Sequence, residues 1–194
     1  MKHSVLFAMI LSLSASPAAA TEIIGVCFTP GEACTDLIVD QIASARRQVL
    51  VQAYSFTSPD IVTALADAKR RGVDVQVILD KSNVCKDRGE CEKKGALAAK
   101  ALKEAGVPVF IDRAHAIAHN KIMVIDQSRV ITGSFNFSQA AQDRNAENVL
   151  VISDNALAHR YRANWREHGA HSTALSPQQN LANNQGILVN RPGQ

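Results

Sequence analysis

The chain has 194 residues, of which 46% are hydrophobic, 20% are charged and 5% are aromatic, and its formal net charge is +3. This composition excludes a disordered chain, because the apolar content is high and the net charge is low. The length suits one domain better than two, and size alone favours a small enzyme or binding module that works without a partner.

The first twenty residues have the pattern of a secretory signal peptide. Lys2 supplies a basic start, residues 4–13 are mostly apolar, and Ala18 and Ala20 fit the small-residue rule for signal peptidase. The apolar run is too short for a transmembrane anchor, which needs about 20 residues. We therefore expect cleavage after Ala20, export to the periplasm or the medium, and no stable membrane insertion.

Strands and helices alternate through the first half of the remaining chain. The apolar pattern predicts strands at 22–28, 48–54, 73–79 and 107–111, and helices at 34–45, 59–71 and 91–104. Ser58, Pro59 and Asp60 form a helix start signal, and Gly72 is a stop signal. This order predicts an α/β fold, an α+β sandwich in which helices flank a largely parallel, mixed central sheet.

The second half is richer in strands. Three more strands are predicted at 119–126, 129–132 and 147–153. Asp154 or Asn155 then caps a last helix. From residue 171 onward the chain is polar without a period, which predicts a flexible tail or an extended arm over 171–194. The folded domain is therefore expected at 21–170, after a signal peptide at 1–20.

The four cysteines agree with export, since disulfides persist in oxidising compartments. Their spacing suggests two local loops, Cys27–Cys34 and Cys85–Cys91, although four cysteines allow three pairings. A zinc site is the alternative, but the sequence has no C-x2-C and no histidine near the cysteines. We therefore predict disulfides.

Residues that can carry chemistry concentrate between His119 and Glu147. His119 and Lys121 share a face of an extended strand, and Ser134 and Asn136 do so if their stretch is also extended. An imidazole, an ammonium and an amide suit a phosphate diester: the cation and amide hold non-bridging oxygens, and histidine does the covalent or proton work. Glu147 is the candidate to hold the other imidazole nitrogen.

Each of these residues alone is a weak signal, because strand histidines, strand lysines and G-S-x-N turns usually have no catalytic role. The joint pattern H-x-K-x4-D-x6-G-S-x-N is far more specific, since six positions coincide: His119, Lys121, Asp126, Gly133, Ser134 and Asn136. With these residues the sequence resembles the phospholipase D superfamily from about residue 22 to residue 169. Within the superfamily it looks most like the small secreted bacterial endonucleases that have a single motif per chain.

The resemblance implies a phospholipase D-like fold and a phosphodiesterase that needs no metal. In such families one histidine attacks phosphorus to form a phosphohistidine, and a second protonates the leaving oxygen and then activates water. Carried over, His119 has both roles, one on each of two subunits. Lys121 and Asn136 would bind phosphate with help from Ser134, and Glu147 would orient the imidazole.

Two further motif positions are expected to be structural, Asp126 and Gly133. The resemblance implies that the motif aspartate, Asp126, has a mainly structural role, as in other members of the family. This agrees with strand parity, because Asp126 is an odd number of residues from His119 and points to the opposite face of an unbroken strand.

The mechanism needs a second histidine, and the chain has one H-x-K. His115 is the alternative within the chain, but four strand residues separate it from His119 by about 13 Å. His159, His168 and His171 have no motif around them. A twofold homodimer that pairs His119 with its symmetry mate is the better solution, so the short chain is interpreted as one protomer of a dimer.

A catalytic metal is not favoured. His115 and His119 could ligate zinc at i, i+4 on a helix, but the region is predicted as loop and strand. No acidic cluster in the sequence resembles a two-metal nuclease site. We therefore predict no metal and no cofactor, and activity that survives chelators.

Nucleic acid is the favoured substrate. Arg113 and His115 precede the motif and predict a basic rim that attracts a phosphate backbone without reading bases. The low aromatic content argues against lipid insertion, and Phe135 and Phe137 are expected to pack behind the motif. We predict sequence-independent cleavage of DNA or RNA. The alternative is a phospholipase D-type hydrolase or transphosphatidylase acting on phospholipid head groups; a non-catalytic binding protein is disfavoured because the motif is intact.

Overall fold

The computed structural model describes residues 20–84 and 94–175, which form an eight-stranded sheet with helices on both faces. The strands are β1 (Glu22–Thr29), β2 (Gln48–Ala53), β3 (Asp74–Asp80), β4 (Val109–Asp112), β5 (Lys121–Ile125), β6 (Arg129–Gly133), β7 (Glu147–Ser153) and β8 (Thr173–Ala174). The helices are α1 (Cys34–Ala43), α2 (Pro59–Arg70), α3 (Lys94–Glu104), α4 (Gln139–Asp143) and α5 (Asn155–His171), with a 3-10 turn at Lys81–Asn83.

The predicted α/β class and the mixed sheet flanked by helices are confirmed, but the parallel share of the sheet is smaller than predicted. The strand order is β1-β7-β6-β5-β2-β3-β4-β8, and only the β2–β3 and β3–β4 pairs are parallel. The other pairs are antiparallel. The connection from β5 to β6 comprises residues 126–128, which is too short for the crossover that a parallel pair requires.

The two faces of the sheet bury different side chains, because neighbours along a strand point to opposite faces. In β2, Val49 and Val51 belong to the core beneath α1, α2 and α3, whereas Leu50 belongs to the core beneath α5. Trp165 of α5 lies in this second core, and its indole N–H donates a hydrogen bond of 2.8 Å to the carbonyl of Val51. The sheet is therefore the middle layer of a sandwich.

The helix start signals act as the sequence predicts. The Ser58 hydroxyl accepts the N–H of Ile61 at the start of α2, and the Asp154 carboxylate accepts the N–H of Leu157 at the start of α5. Each cap satisfies a backbone donor that the first helical turn leaves unpaired.

The domain extends past the predicted boundary at residue 170. Helix α5 ends at His171, and β8 then pairs with the edge of β4, where Ala174 lies opposite Phe110. Leu175 is buried, and its N–H donates to the carbonyl of Val109 at 2.8 Å. A two-residue strand has no period of its own, so only its pairing with β4 defines it.

Cys27 and Cys34 form a disulfide between β1 and α1, which confirms this predicted pair. Cys85 and Cys91, residues 1–19 of the predicted signal peptide and residues 176–194 of the predicted tail lie outside the described residues. Within the described ranges, no helix is long and apolar enough to cross a membrane.

Asp126 fastens the turn between β5 and β6. Its φ of 52° is left-handed, and its carboxylate accepts backbone N–H groups of Arg46, Arg47 and Gln48, the shortest at 2.7 Å. Burial raises the pKa of Asp126, but these hydrogen bonds and the charge of Arg129 outweigh it and hold the pKa below its usual value. The carboxylate thus joins the loop before β2 to the sheet.

We expect Asp126→Asn to lower the free energy of unfolding at pH 7 by about 1–3 kcal/mol, because a neutral amide accepts these N–H groups less well. Asparagine tolerates the left-handed backbone, so the loss reports the charge. A lowered pKa stabilises the fold above the unfolded value of about 3.9, and this contribution disappears as the pH falls through the folded pKa. Urea unfolding in a descending pH series should show the two proteins converging; a constant difference contradicts the assignment.

One edge of the sheet collects the segments that carry the motif. β2, β3, β4 and β6 end there, and β5 and β7 begin there, because β5 runs antiparallel to β2 and each following pair alternates. The residues after β2, before β5, after β6 and at the start of β7 therefore lie at the same edge. We refer to it as the catalytic edge.

Candidate active site

His119 lies at the catalytic edge, on the loop 113–120 that leads into β5. It precedes the strand instead of belonging to it, because β5 begins at Lys121. The residue is exposed, and its ring centroid is 4.5 Å from that of Tyr54, which follows β2. The Tyr54 N–H donates to the carbonyl of Asn120 at 2.9 Å. The imidazole is thus supported by an aromatic ring and accessible to a ligand.

Lys121 is a buried cation near the same tyrosine ring. The residue is 7% exposed, its amine donates to the carbonyl of His119 at 2.8 Å, and the amine lies 5.3 Å from the ring centroid of Tyr54. Burial lowers the pKa of Lys121, and the charge of Glu147 partly opposes this effect. Among residues 20–84 and 94–175, no carboxylate forms a salt bridge with this amine. An anionic ligand would supply the missing partner.

The end of β6 has a backbone conformation that only glycine fits. Gly133 has a φ of 151°, and a Cβ atom there would lie 2.2 Å from the carbonyl oxygen of Asn148. The next residue, Ser134, is exposed, and its hydroxyl accepts the backbone N–H of Asn148 at 3.1 Å. Phe135 and Phe137 are buried behind the turn, as the sequence predicts. The turn thus places Ser134 beside the start of β7, at the catalytic edge.

Asn136 is half-buried, and its Oδ1 atom is buried without a hydrogen-bond partner in the described part of the chain. A buried polar atom without a partner costs about 1–3 kcal/mol. The amide can present either its oxygen or its NH2 group to this position. An added ligand group could complete its hydrogen bonding, which fits the predicted role in holding phosphate.

Glu147 begins β7 at the same edge. It is half-buried, its carboxylate accepts an amide N–H of Asn145 at 3.0 Å, and its charge acts on Lys121. The hydrogen bonds of the described residues do not join Glu147 to His119. Orientation of the imidazole by Glu147 therefore stays a prediction.

The predicted rim residues lie on the loop before His119. Arg113 is exposed. The His115 ring instead contacts a carboxylate at the end of β4, with Nδ1 3.0 Å from Oδ2 of Asp112. Contact of Arg113 and His115 with substrate stays a prediction.

Asp80 positions this loop and was not singled out from the sequence, where it opens a polar segment. It ends β3, is 3% exposed, and accepts the N–H of Ala118 through Oδ2 at 2.8 Å. Its other oxygen accepts the N–H of Ser82 at 2.8 Å. The backbone is therefore fixed directly before His119. The signal available in the sequence is an acid at the end of a buried strand.

Sequence comparison finds a matching family model and named relatives. The family model described as "Cardiolipin synthase, PLD-like domain" matches residues 38–168. A protein named phospholipase D from Rickettsia bellii is 45% identical over 142 residues, which cover 73% of this chain and 67% of the relative. A protein named mitochondrial cardiolipin hydrolase from Xenopus laevis is 30% identical over 132 residues, which cover 66% of this chain and 59% of the relative.

Comparison with solved structures also finds similar proteins. The crystal structure of a phospholipase D family member, Nuc from Salmonella typhimurium, matches with a TM-score of 0.73 at 32% identity, covering 80% of this chain and 99% of Nuc. NucT from Helicobacter pylori matches with a TM-score of 0.68 at 21% identity, covering 80% of this chain and all of NucT, which shows a common fold. The chain thus spans about two thirds of the Rickettsia relative and nearly the whole of Nuc.

Proposed function

This chain belongs to the phospholipase D superfamily and is a phosphodiester hydrolase, and from that premise we propose that it is a metal-independent, sequence-independent endonuclease of DNA or RNA. One observation carries the proposal: an exposed imidazole, His119, and a buried cation, Lys121, both lie near the ring of Tyr54, and the cation has no acidic partner in the described ranges. This arrangement suits a diester anion, which the cation binds and the imidazole attacks.

The reaction has two displacements. In the first, an imidazole nitrogen of His119 forms a bond to phosphorus, and the bond from phosphorus to the leaving oxygen breaks. A second imidazolium gives its proton to that oxygen. In the second, water attacks the phosphohistidine while the now neutral second imidazole takes a proton from the water, which frees His119. Lys121 and Asn136 hold the non-bridging oxygens in both steps, and Ser134 assists.

The second imidazole belongs to another copy of the chain in this proposal. His115 is engaged with Asp112, and the chain has one H-x-K. His119 is exposed, so its counterpart in a twofold dimer can approach the same phosphorus. Ile117, two residues earlier, is 57% exposed and offers apolar area to such an interface.

Nucleic acid is the proposed substrate because the sequence resembles the small endonucleases that have a single motif per chain. The match to nearly the whole of Nuc supports this branch, because a chain with a single motif is expected to be short. The exposed Arg113 at the start of the loop 113–120 and the positive net charge of the chain favour a phosphate backbone. No base-reading element is needed for this contact, so cleavage is sequence-independent.

Phospholipid is the second candidate, and two observations favour it. The relatives at 45% and 30% identity are named phospholipase D and mitochondrial cardiolipin hydrolase. Ile117 on the loop 113–120 and Phe28 at the end of β1 are each 57% exposed, and such side chains could contact a lipid surface.

A substrate panel separates the two candidates. In EDTA, we expect the purified protein to cleave plasmid DNA or RNA and to leave vesicles of phosphatidylcholine and of cardiolipin intact. A His119→Ala preparation made in parallel measures contaminating nuclease. Lipid hydrolysis without nucleic-acid cleavage would establish the second candidate. Cleavage that EDTA abolishes and a divalent ion restores, in protein still folded by circular dichroism, would contradict metal-independent chemistry.

We also propose export with cleavage after Ala20. The basic start, the apolar run and the Cys27–Cys34 disulfide support it, because disulfides persist in oxidising compartments. N-terminal sequencing of protein recovered from the periplasm or the medium should begin at Thr21. Protein that stays in the cytoplasm with its first twenty residues would contradict export.

A further inference from the structure

A second cluster of titratable side chains lies at the catalytic edge, where β4 ends. Asp112 is fully buried, and its Oδ2 atom lies 2.8 Å from Nδ1 of His168, 3.0 Å from Nδ1 of His115 and 3.3 Å from Nε2 of His171. The four ligand atoms all lie within 4.8 Å of one another. We propose that these four residues bind a zinc ion that fastens the loop 113–120 and the last turn of α5 to the sheet.

The distances match a tetrahedral zinc site. Zinc binds imidazole nitrogen and carboxylate oxygen at about 2.0–2.2 Å, which places neighbouring ligand atoms about 3.3 Å apart. The distances from Asp112 Oδ2 to the three imidazole nitrogens are already 2.8, 3.0 and 3.3 Å. The separations between the imidazole nitrogens, all within 4.8 Å, would shorten to about 3.3 Å around an ion. The cluster is therefore already close to the size of a tetrahedral site.

Hydrogen bonding alone accounts poorly for the cluster. Three imidazole nitrogens converge on Asp112 Oδ2. That of His115 also lies 3.2 Å from Oδ1, but Oδ1 already accepts the N–H of Ala114 at 3.0 Å. The rings are also crowded, since the His115 centroid lies 4.7 Å from that of His168 and 5.1 Å from that of His171. Three imidazolium charges so close together would repel one another. A zinc ion uses the lone pairs of neutral imidazoles and balances the buried carboxylate.

The ligands come from three parts of the fold, which indicates a structural role for the ion. Asp112 ends β4, His115 lies in the loop 113–120, and His168 and His171 lie in the last turn of α5. Four protein ligands close a tetrahedral site, as in structural zinc sites. His119 is not among them, so the ion is outside the proposed chemistry.

The loop that carries His119 would then be held at both ends. The Ala118 N–H is bound by Asp80, and the His115 carbonyl accepts the amine of Lys81 at 2.6 Å. A zinc ion at His115 adds a third attachment near the start of the loop. Its effect should therefore appear in thermal stability more than in the rate of the chemical step.

The test begins with the whole chain treated with EDTA and exchanged into metal-free buffer. We expect it to take up one zinc ion per chain in competition with a chromogenic chelator, and cobalt(II) to give the visible bands of a tetrahedral site. With zinc at about 100 times its Kd, Tm should rise by about 5–10 °C. Failure of the wild-type chain to bind zinc stoichiometrically overturns the proposal.

Variants locate the ion. A His168→Ala/His171→Ala double variant and Asp112→Asn should each lose the cobalt bands and the zinc-dependent rise in Tm. The control is His159→Ala, an exposed histidine on the same helix, which should keep both. Equal zinc binding by the double variant and the wild type also overturns the site. DNA cleavage below the Tm of the metal-free protein should change less than about twofold on adding zinc; this readout tests the metal-free mechanism separately from the zinc site.

Discussion

Replacement of His119 by alanine should lower phosphodiester hydrolysis at least about 10⁴-fold, because the variant lacks the atom that forms the covalent bond to phosphorus. Stability should change by less than about 1 kcal/mol, since the residue is exposed and its ring contact is with Tyr54. Lys121 and Asn136 remain, so binding of a labelled oligonucleotide should stay within about threefold of wild type. Initial rates on plasmid DNA and fluorescence anisotropy measure the two effects.

His159→Ala is the matched control for this variant, because it removes an exposed imidazole from α5, away from the motif. It should cleave at the wild-type rate. A His119→Ala protein that cleaves as fast as His159→Ala would remove His119 from the catalytic assignment. Loss of oligonucleotide binding together with cleavage would instead make His119 a binding residue.

The same variant tests the shared site. Co-expression of two differently tagged chains, one carrying His119→Ala, allows the mixed dimer to be isolated by tandem purification. A site on the twofold axis needs both imidazoles, so the mixed dimer should be as inactive as the variant. A mixed dimer with about half the wild-type activity would mean that each chain has a complete site, and a fully active monomer would have the same meaning.

The order of elements was predictable because it rests on local periods and caps. The Ser58 cap and the stripe of buried residues in α2 can be recognised from residues that are close together in the sequence. The antiparallel half of the sheet was not, because it depends on which distant strand each segment joins. β1 pairs with β7, and β8 pairs with β4, although these strands are far apart in the sequence and no local pattern predicts such pairing.

The site divides in the same way. His119 and Lys121 were predictable because their spacing within the motif is local. Tyr54 and Asp80 were not predictable, since Tyr54 follows β2, Asp80 ends β3, and only the fold brings them to the loop 113–120. The cluster around Asp112 shows the extreme case: His168 is 56 positions away, and only the return of α5 across the sheet joins them. The spacings D-x2-H and H-x2-H were visible, but each alone is weak.

Lys121→Met should separate function from stability. Methionine has a similar length and no charge, so the variant lacks the cation that binds the phosphate, and cleavage should fall at least about 100-fold. Burial lowers the pKa of Lys121, which means that the fold disfavours the charge it encloses. Replacing that charge by an apolar group should therefore leave Tm unchanged or raise it, although the hydrogen bond to the carbonyl of His119 is lost.

Lys100→Met supplies the control, because Lys100 is an exposed residue of α3 that pairs with Glu104 at 3.4 Å. It should keep both activity and Tm close to wild type. If Lys121→Met lowers Tm by several degrees as well as activity, the ammonium supports the fold and its assignment to phosphate is wrong. If activity survives, Lys121 is not in the site. The proposed role of Lys121 requires that cleavage is lost while stability is not. Such a result is expected of a buried cation that destabilises the fold but binds an anion.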